Sequence, residues 1–164
     1  MQYRIYLAGP DVFFPDVAER AAALKSLCAK FGYEGVFPLD SGVQLLRPLN
    51  QEENGFLIYE ANIKLIRGCH GVLANMSPFR GPSMDPGTAF EMGFGRALGL
   101  EVVGYTNTLT QYKSRVEPDG MLVEDFSMID NLMVHAAACG DIFKGPEEAL
   151  DYLAKVLDSG EPTR

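Results

Sequence analysis

Val72-Leu73-Ala74, then Asn75-Met76-Ser77-Pro78-Phe79-Arg80-Gly81 and onward to Met84, then Asp85-Pro86-Gly87-Thr88-Ala89-Phe90-Glu91-Met92-Gly93: this stretch reads as a strand, a loop and a helix. It decides the fold, because a strand feeding a loop and a helix is the repeating unit of a parallel α/β sheet. Asp85 suits an N-cap and Pro86 the first helical position, so the helix begins there. From that start Gly87, Glu91, Gly95 and Gly99 recur every four residues, roughly along one helical face, with Gly93 close by. A glycine inside a helix costs about 1 kcal/mol relative to alanine, so such a face asks for a reason. Either a neighbouring element packs against bare backbone, or a ligand lies beside Glu91. Ligands of open α/β sheets sit outside the carboxyl ends of the strands, which is where residues 75–91 fall.

Outward from this unit the chain keeps alternating strands and helices, without internal repeats or low-complexity linkers. Strands are expected over residues 3–8, 35–39, 71–74, 101–105 and 141–143. Helices are expected over 18–31, 56–67, 131–138 and from Pro146 to near residue 157. Residues 41–54 read as a polar loop over the site, and 106–119 as a surface excursion. The fold class is α/β: a doubly wound, five-stranded parallel sheet with helices on both faces.

Composition narrows the classes. The 164 residues suit a single domain over 1–164, and 47 % hydrophobic residues suffice for a core. A net charge of −8 repels phosphate backbones, so no nucleic acid polymer is expected as a partner. A single nucleoside is not excluded. Cys28, Cys69 and Cys139 fit no closely spaced metal pattern and read as buried, reduced thiols. His70 and His135 have no evident nucleophile to serve and read as surface or capping residues; with no close His and carboxylate pairing of ligand type, no metal is expected, and no cofactor is implied. The start of the chain lacks a signal-peptide layout, and no apolar run approaches the ~20 residues of a membrane span, so a cytoplasmic protein with no membrane partner is expected.

The carboxylates carry the chemistry. Cleaving an N-glycosidic bond builds positive charge on the sugar, and a carboxylate beside the anomeric carbon stabilises that charge and can capture it covalently. Glu91, one turn inside the glycine-rich helix and flanked by Phe90 and Met92, is the candidate; the plain alternative is a solvated helix glutamate. Asp85 is explained as a cap alone, but an acid there can also protonate a leaving base. Tyr6 ends the first strand, with its hydroxyl directed at the same crevice or, alternatively, into the core. Gly9 lets the chain turn tightly. Phe13, Phe14 and Phe79 offer apolar walls for a base, or ordinary core packing.

Three segments, Tyr6-Leu7-Ala8-Gly9-Pro10, Asn75 to Gly81 and Asp85 to Glu91, resemble the nucleoside 2-deoxyribosyltransferase family. The similarity runs over nearly the whole chain and includes Asp130-Asn131-Leu132-Met133. The resemblance implies a flavodoxin-like subunit that exchanges the base of a 2'-deoxynucleoside through a covalent deoxyribosyl-glutamate, in nucleoside salvage. It assigns Glu91 as nucleophile, Asp85 to the base and its proton, and Tyr6 to orienting Glu91. Substrate contacts are expected from Gly9, Phe13, Asn62, Phe79, Arg80 and Gly87. Asn131 and Met133 are expected to reach a neighbouring subunit's site, so the family implies a homo-oligomer built from dimers, up to a hexamer. Its small-molecule partners are a 2'-deoxynucleoside and a free nucleobase. One departure is Asn62, where some members carry an aspartate that hydrogen-bonds the base; an amide donates and accepts but does not ionise. This leans the base preference towards purines or mixed use.

Two rivals stand beside this reading. A 2'-deoxynucleoside 5'-monophosphate N-glycosidase would use the same fold and a similar glutamate, but must bind phosphate. The loop from Ala8 to Phe14 carries Asp11 and no basic residue, leaving Arg80 as one contact. A non-catalytic nucleotide-binding protein would have no use for Glu91.

Overall fold

A computed structural model describes residues 2–42 and 50–159. Four strands, β1 (Arg4–Ala8), β2 (Glu34–Val36), β3 (Gly71–Asn75) and β4 (Glu101–Tyr105), form one sheet in the order β2-β1-β3-β4, every pair parallel. Among the described residues five α-helices accompany them: α1 (Val17–Lys30), α2 (Gln51–Arg67), α3 (Pro86–Ala97), α4 (Leu132–His135) and α5 (Pro146–Ser159). The order reverses between β1 and β3, so the crevice at their carboxyl ends is the topological switch point.

Alternation along β1 divides the core into two layers. Ile5 and Leu7 face one side with Cys28, Phe37, Leu73, Val103, Leu150 and Leu153, under α1 and α5. Tyr6 and Ala8 face the other with Val72, Ala74, Met92, Val102 and Ile66, under α2 and α3. Helices therefore cover both faces, which is why the strands read as nearly continuous apolar runs.

The structure corrects several boundaries. The helix expected over 56–67 begins five residues earlier, because Asn50 and Glu53 form a capping box: Asn50 Oδ1 accepts from the Glu53 N–H at 2.8 Å and Glu53 Oε2 from the Asn50 N–H at 3.0 Å. Residues 51–54 of the expected loop are thus helical, and 43–49 lie outside the described residues. The second strand stops at Val36 rather than 39; Pro38 opens a 3-10 turn, Pro38–Ser41, whose Asp40 accepts from the Phe37 N–H at 2.8 Å. The fifth strand is a single parallel bridge, Tyr105 to Phe143, held by two backbone hydrogen bonds before Gly145-Pro146 turns the chain into α5. Four strands and one bridge stand where five strands were expected, and the class of fold is unchanged.

The glycine face of α3 resolves into separate roles. A Cβ on Gly95 would come within 2.9 Å of Val72 Cγ2, so this glycine lets the helix lie on β3. Gly99 falls beyond the helix at φ +77°, the left-handed turn that ends it. Around Gly93 a Cβ would meet nothing within 4 Å. Only Gly87 borders the cavity described next.

Candidate active site

A cavity of about 440 Å³ opens at the switch point, lined by Gly9, Val12 and Phe13 after β1, Pro38, Leu39 and Ser41 after β2, Ile58 and Asn62 of α2, and Asp85, Gly87 and Glu91 at the start of α3. Its volume lies within the range of small-molecule sites, and its wall is mostly apolar with a few converging polar groups. A larger, more open depression of about 920 Å³ lies between α1 and α5, on the other side of the sheet, and lacks the paired groups below. Among the described residues no group of three or more His, Cys, Asp or Glu side chains stands close enough to hold a metal ion.

Glu91 sits on the cavity wall with the fully buried Tyr6 behind it, and the Tyr6 hydroxyl donates to Glu91 Oε1 at 2.6 Å. Burial pushes the Glu91 carboxyl up to about 7; the Tyr6 hydrogen bond pulls it down, and the nearby Asp85 charge adds to the rise. The same burial and the adjacent Glu91 carboxylate raise the Tyr6 phenol far above its ordinary value, so it remains a donor. A carboxyl poised near neutrality in a cleft marks a candidate functional group.

Asp85 does two jobs in one place. Its Oδ2 accepts from the Thr88 N–H at 2.9 Å and the Thr88 hydroxyl at 3.0 Å, capping α3, while the residue lines the cavity. Asn62 also lines the cavity, and its Oδ1 is buried with no hydrogen-bond partner among the described residues. Phe13 forms apolar wall and is 54 % exposed. Phe79 stands behind it, stacked at 5.4 Å between ring centroids, and the Arg80 guanidinium lies over both rings at 5.2 and 4.8 Å. Phe79 and Arg80 therefore support Phe13 and do not line the cavity themselves. Asn131 and Met133 stand apart from it within one chain: Asn131 caps α4 by accepting from the Met133 N–H at 3.0 Å and donates to Glu124 Oε1 at 2.7 Å, and Met133 is 72 % exposed.

The loop after β1 is held by a network absent from the sequence reading. Asp11 is buried, with Oδ1 accepting from Arg20 at 3.1 Å and Oδ2 from Asn75 Nδ2 at 2.9 Å. Arg20 thus offsets the charge on Asp11 that the sequence set against phosphate. A Cβ on Gly9 would come within 2.7 Å of Asp11 Oδ2 and 2.9 Å of Asn75 Cβ, so glycine is required by close approach. Val12, Pro38, Leu39, Ser41 and Ile58 were also missed as wall residues. Ile58 and Asn62 share a face of α2 by their spacing of four, a signal the sequence did carry.

The fold and cavity define a small-molecule site of the doubly wound α/β class. The chain belongs to the nucleoside 2-deoxyribosyltransferase family, whose model matches residues 5–133. It is similar over 93 % of its length to the solved 2-desoxiribosyltransferase from Leishmania mexicana, at 31 % identity, 97 % coverage of that chain and a TM-score of 0.77. A 2-deoxyribosyltransferase of Bacillus psychrosaccharolyticus shares the fold at 17 % identity, with 88 % of each chain covered and a TM-score of 0.61. An uncharacterised protein of Schizosaccharomyces pombe is 38 % identical over 115 residues, which are 68 % of this chain and 54 % of that protein. The chain thus spans about half the length of that curated relative.

Proposed function

We propose that this protein transfers the 2-deoxyribosyl group between nucleobases through a covalent ester on Glu91. One observation carries the reading: a carboxyl held near neutrality by burial faces a nucleoside-sized cavity while a phenol fixes one of its oxygens. In the first half-reaction a Glu91 oxygen attacks the anomeric carbon. The carbon–nitrogen bond breaks, its electron pair leaves with the base, and Asp85 delivers a proton to that base. In the second, a nitrogen of an incoming base attacks the same carbon, the ester bond breaks, and Glu91 recovers its carboxylate while the incoming base gives its proton to the Asp85 carboxylate, restoring the acid. Water in place of the second base yields free deoxyribose, so slow hydrolysis accompanies transfer.

The described cavity wall holds no lysine or arginine, and Arg80 is engaged with Phe13 and Phe79. This favours a nucleoside over its 5'-monophosphate. Asn131 and Met133 belong to this reading as contacts made in a neighbouring subunit's site, in a homo-oligomer. The test is incubation with 2'-deoxyinosine and free adenine, beside a Glu91→Ala variant, followed by chromatography. 2'-Deoxyadenosine from the wild type alone supports the reading; hypoxanthine without new nucleoside means a hydrolase; no reaction with purine or pyrimidine donors overturns it.

A further inference from the structure

A second carboxylate, outside the cavity, is hydrogen-bonded to the segment that leads into Asp85. Asp130 is 1 % exposed and both its oxygens are engaged. Oδ1 accepts from the Ser83 hydroxyl at 2.5 Å and from the Asn131 N–H at 2.8 Å, and Oδ2 accepts from the Met84 N–H at 2.9 Å. The Arg115 guanidinium stands 3.9 Å from Oδ2 and donates to the Ile129 carbonyl, while its Nε and Nη1 are buried without a hydrogen-bond partner among the described residues. Burying a carboxylate is expensive unless donors surround it, and here two of the three donors belong to residues 83 and 84.

Those residues lead directly into Asp85. Downstream, Asp85 is fixed by its own cap on Thr88; upstream, the Met84 N–H is fixed by Asp130. The preceding turn is closed by the Phe79 N–H donating to the Ser83 carbonyl at 2.9 Å, with Arg80 in the left-handed region at φ +55°. Met84 itself is buried in the core. With Asp130 removed, the upstream side loses the grip on both Ser83 and Met84 at once.

The geometry points to Asp130 as the positioning residue for Asp85: by gripping Ser83 and Met84 it sets where the Asp85 carboxyl meets the departing base. This rests on the deoxyribosyl-transfer reading above. Asp130 does not line the cavity, and a displacement of about 1 Å at a reacting group can cost on the order of 10²-fold in rate.

The test compares two donors. With 2'-deoxyinosine the base must gain a proton as it leaves; with 7-methyl-2'-deoxyguanosine the base already carries positive charge and leaves neutral. Asp130→Asn puts an NH2 where one acceptor oxygen stood, so a donor faces the backbone N–H of Met84 or of Asn131, whichever oxygen it replaces. The expected result is a loss of about tenfold or more in base release from 2'-deoxyinosine, with release from the methylated donor unchanged to about twofold. In an Asp85→Asn background, Asp130→Asn should cost nothing further, since the group it positions is already disabled. Equal losses on both donors, or full additivity with Asp85→Asn, would overturn the inference and leave Asp130 a general stabiliser. If Asp130→Asn does not fold, Ser83→Ala removes one donor and should give the same donor-selective pattern at a few-fold size; no selectivity there refutes it equally. A wild type that exchanges no base from any donor defeats the transfer reading itself, and this inference with it.

Discussion

Tyr6→Phe removes one hydrogen bond and leaves the ring in the core, so it isolates what the phenol does for Glu91. That bond, 2.6 Å to Oε1, holds the Glu91 carboxyl down against burial and the Asp85 charge. A hydrogen bond to a charged group contributes about 1.5–3 kcal/mol. At 1.36 kcal/mol per unit, its loss raises the carboxyl by about 1–2 units, from about 7 to about 8–9. The nucleophile must be ionised, so kcat/KM falls on the acid side of that value. At pH 7 the ionised fraction drops from about a half to about 1–10 %, a loss of ~5–50-fold, recovered at higher pH. The assay is kcat/KM for base release from 2'-deoxyinosine between pH 5 and 10. An acid limb that stays near 7 in the variant would refute the reasoning, and a uniform loss at every pH would assign Tyr6 to positioning without charge.

Glu91 also makes stability depend on pH. Its folded-state value of about 7 exceeds the ordinary 4.5, so the folded protein binds the extra proton between those limits, and the stability this confers is present below about 4.5 and lost as pH rises through about 7. Glu91→Gln should therefore be more stable than the wild type by up to about 3 kcal/mol above pH 7, a gap that closes near pH 4.5 in urea melts. Asp85→Asn keeps an N-cap side chain, so its melting temperature should barely move, while base release from unmethylated donors falls by about 10²–10⁴-fold. Two glycines of α3 should answer oppositely in denaturant titrations. Gly95→Ala presses on Val72 and should cost about 1–2 kcal/mol net, whereas Gly93→Ala meets open space and should gain up to about 1 kcal/mol.

The fold was legible wherever a short-range rule acted alone. Fourth-strand limits follow from an apolar run between Gly99-Leu100 and a polar stretch, and the α3 start from Asp85-Pro86. The α2 start was misread although its signal was present: Asn50 and Glu53 spell a capping box, but the polar composition around them suggested a loop. Pairing decided what periodicity left open. Residues 141–143 have strand composition, yet only Phe143 reaches β4 before Pro146 withdraws the chain. In the site, Glu91, Asp85 and Tyr6 stood out by chemistry and family resemblance. Asp11 and Asp130 did not, because their partners Asn75 and Ser83 lie 64 and 47 residues away, a separation no local pattern encodes.

Tyr6 belongs to the core and to the site at once. Side chains along β1 alternate between the two layers, so the strand that seats Leu7 among Leu150 and Leu153 on one side aims the phenol at Glu91 on the other. A slip of one residue would present Ile5 or Leu7 to the carboxyl. The packing of the far layer is therefore an alignment gauge for the chemistry: residues that never approach a ligand hold the index by which donor and acceptor meet. Drift in that hidden layer would register first as altered titration of Glu91, before any change in the cavity wall.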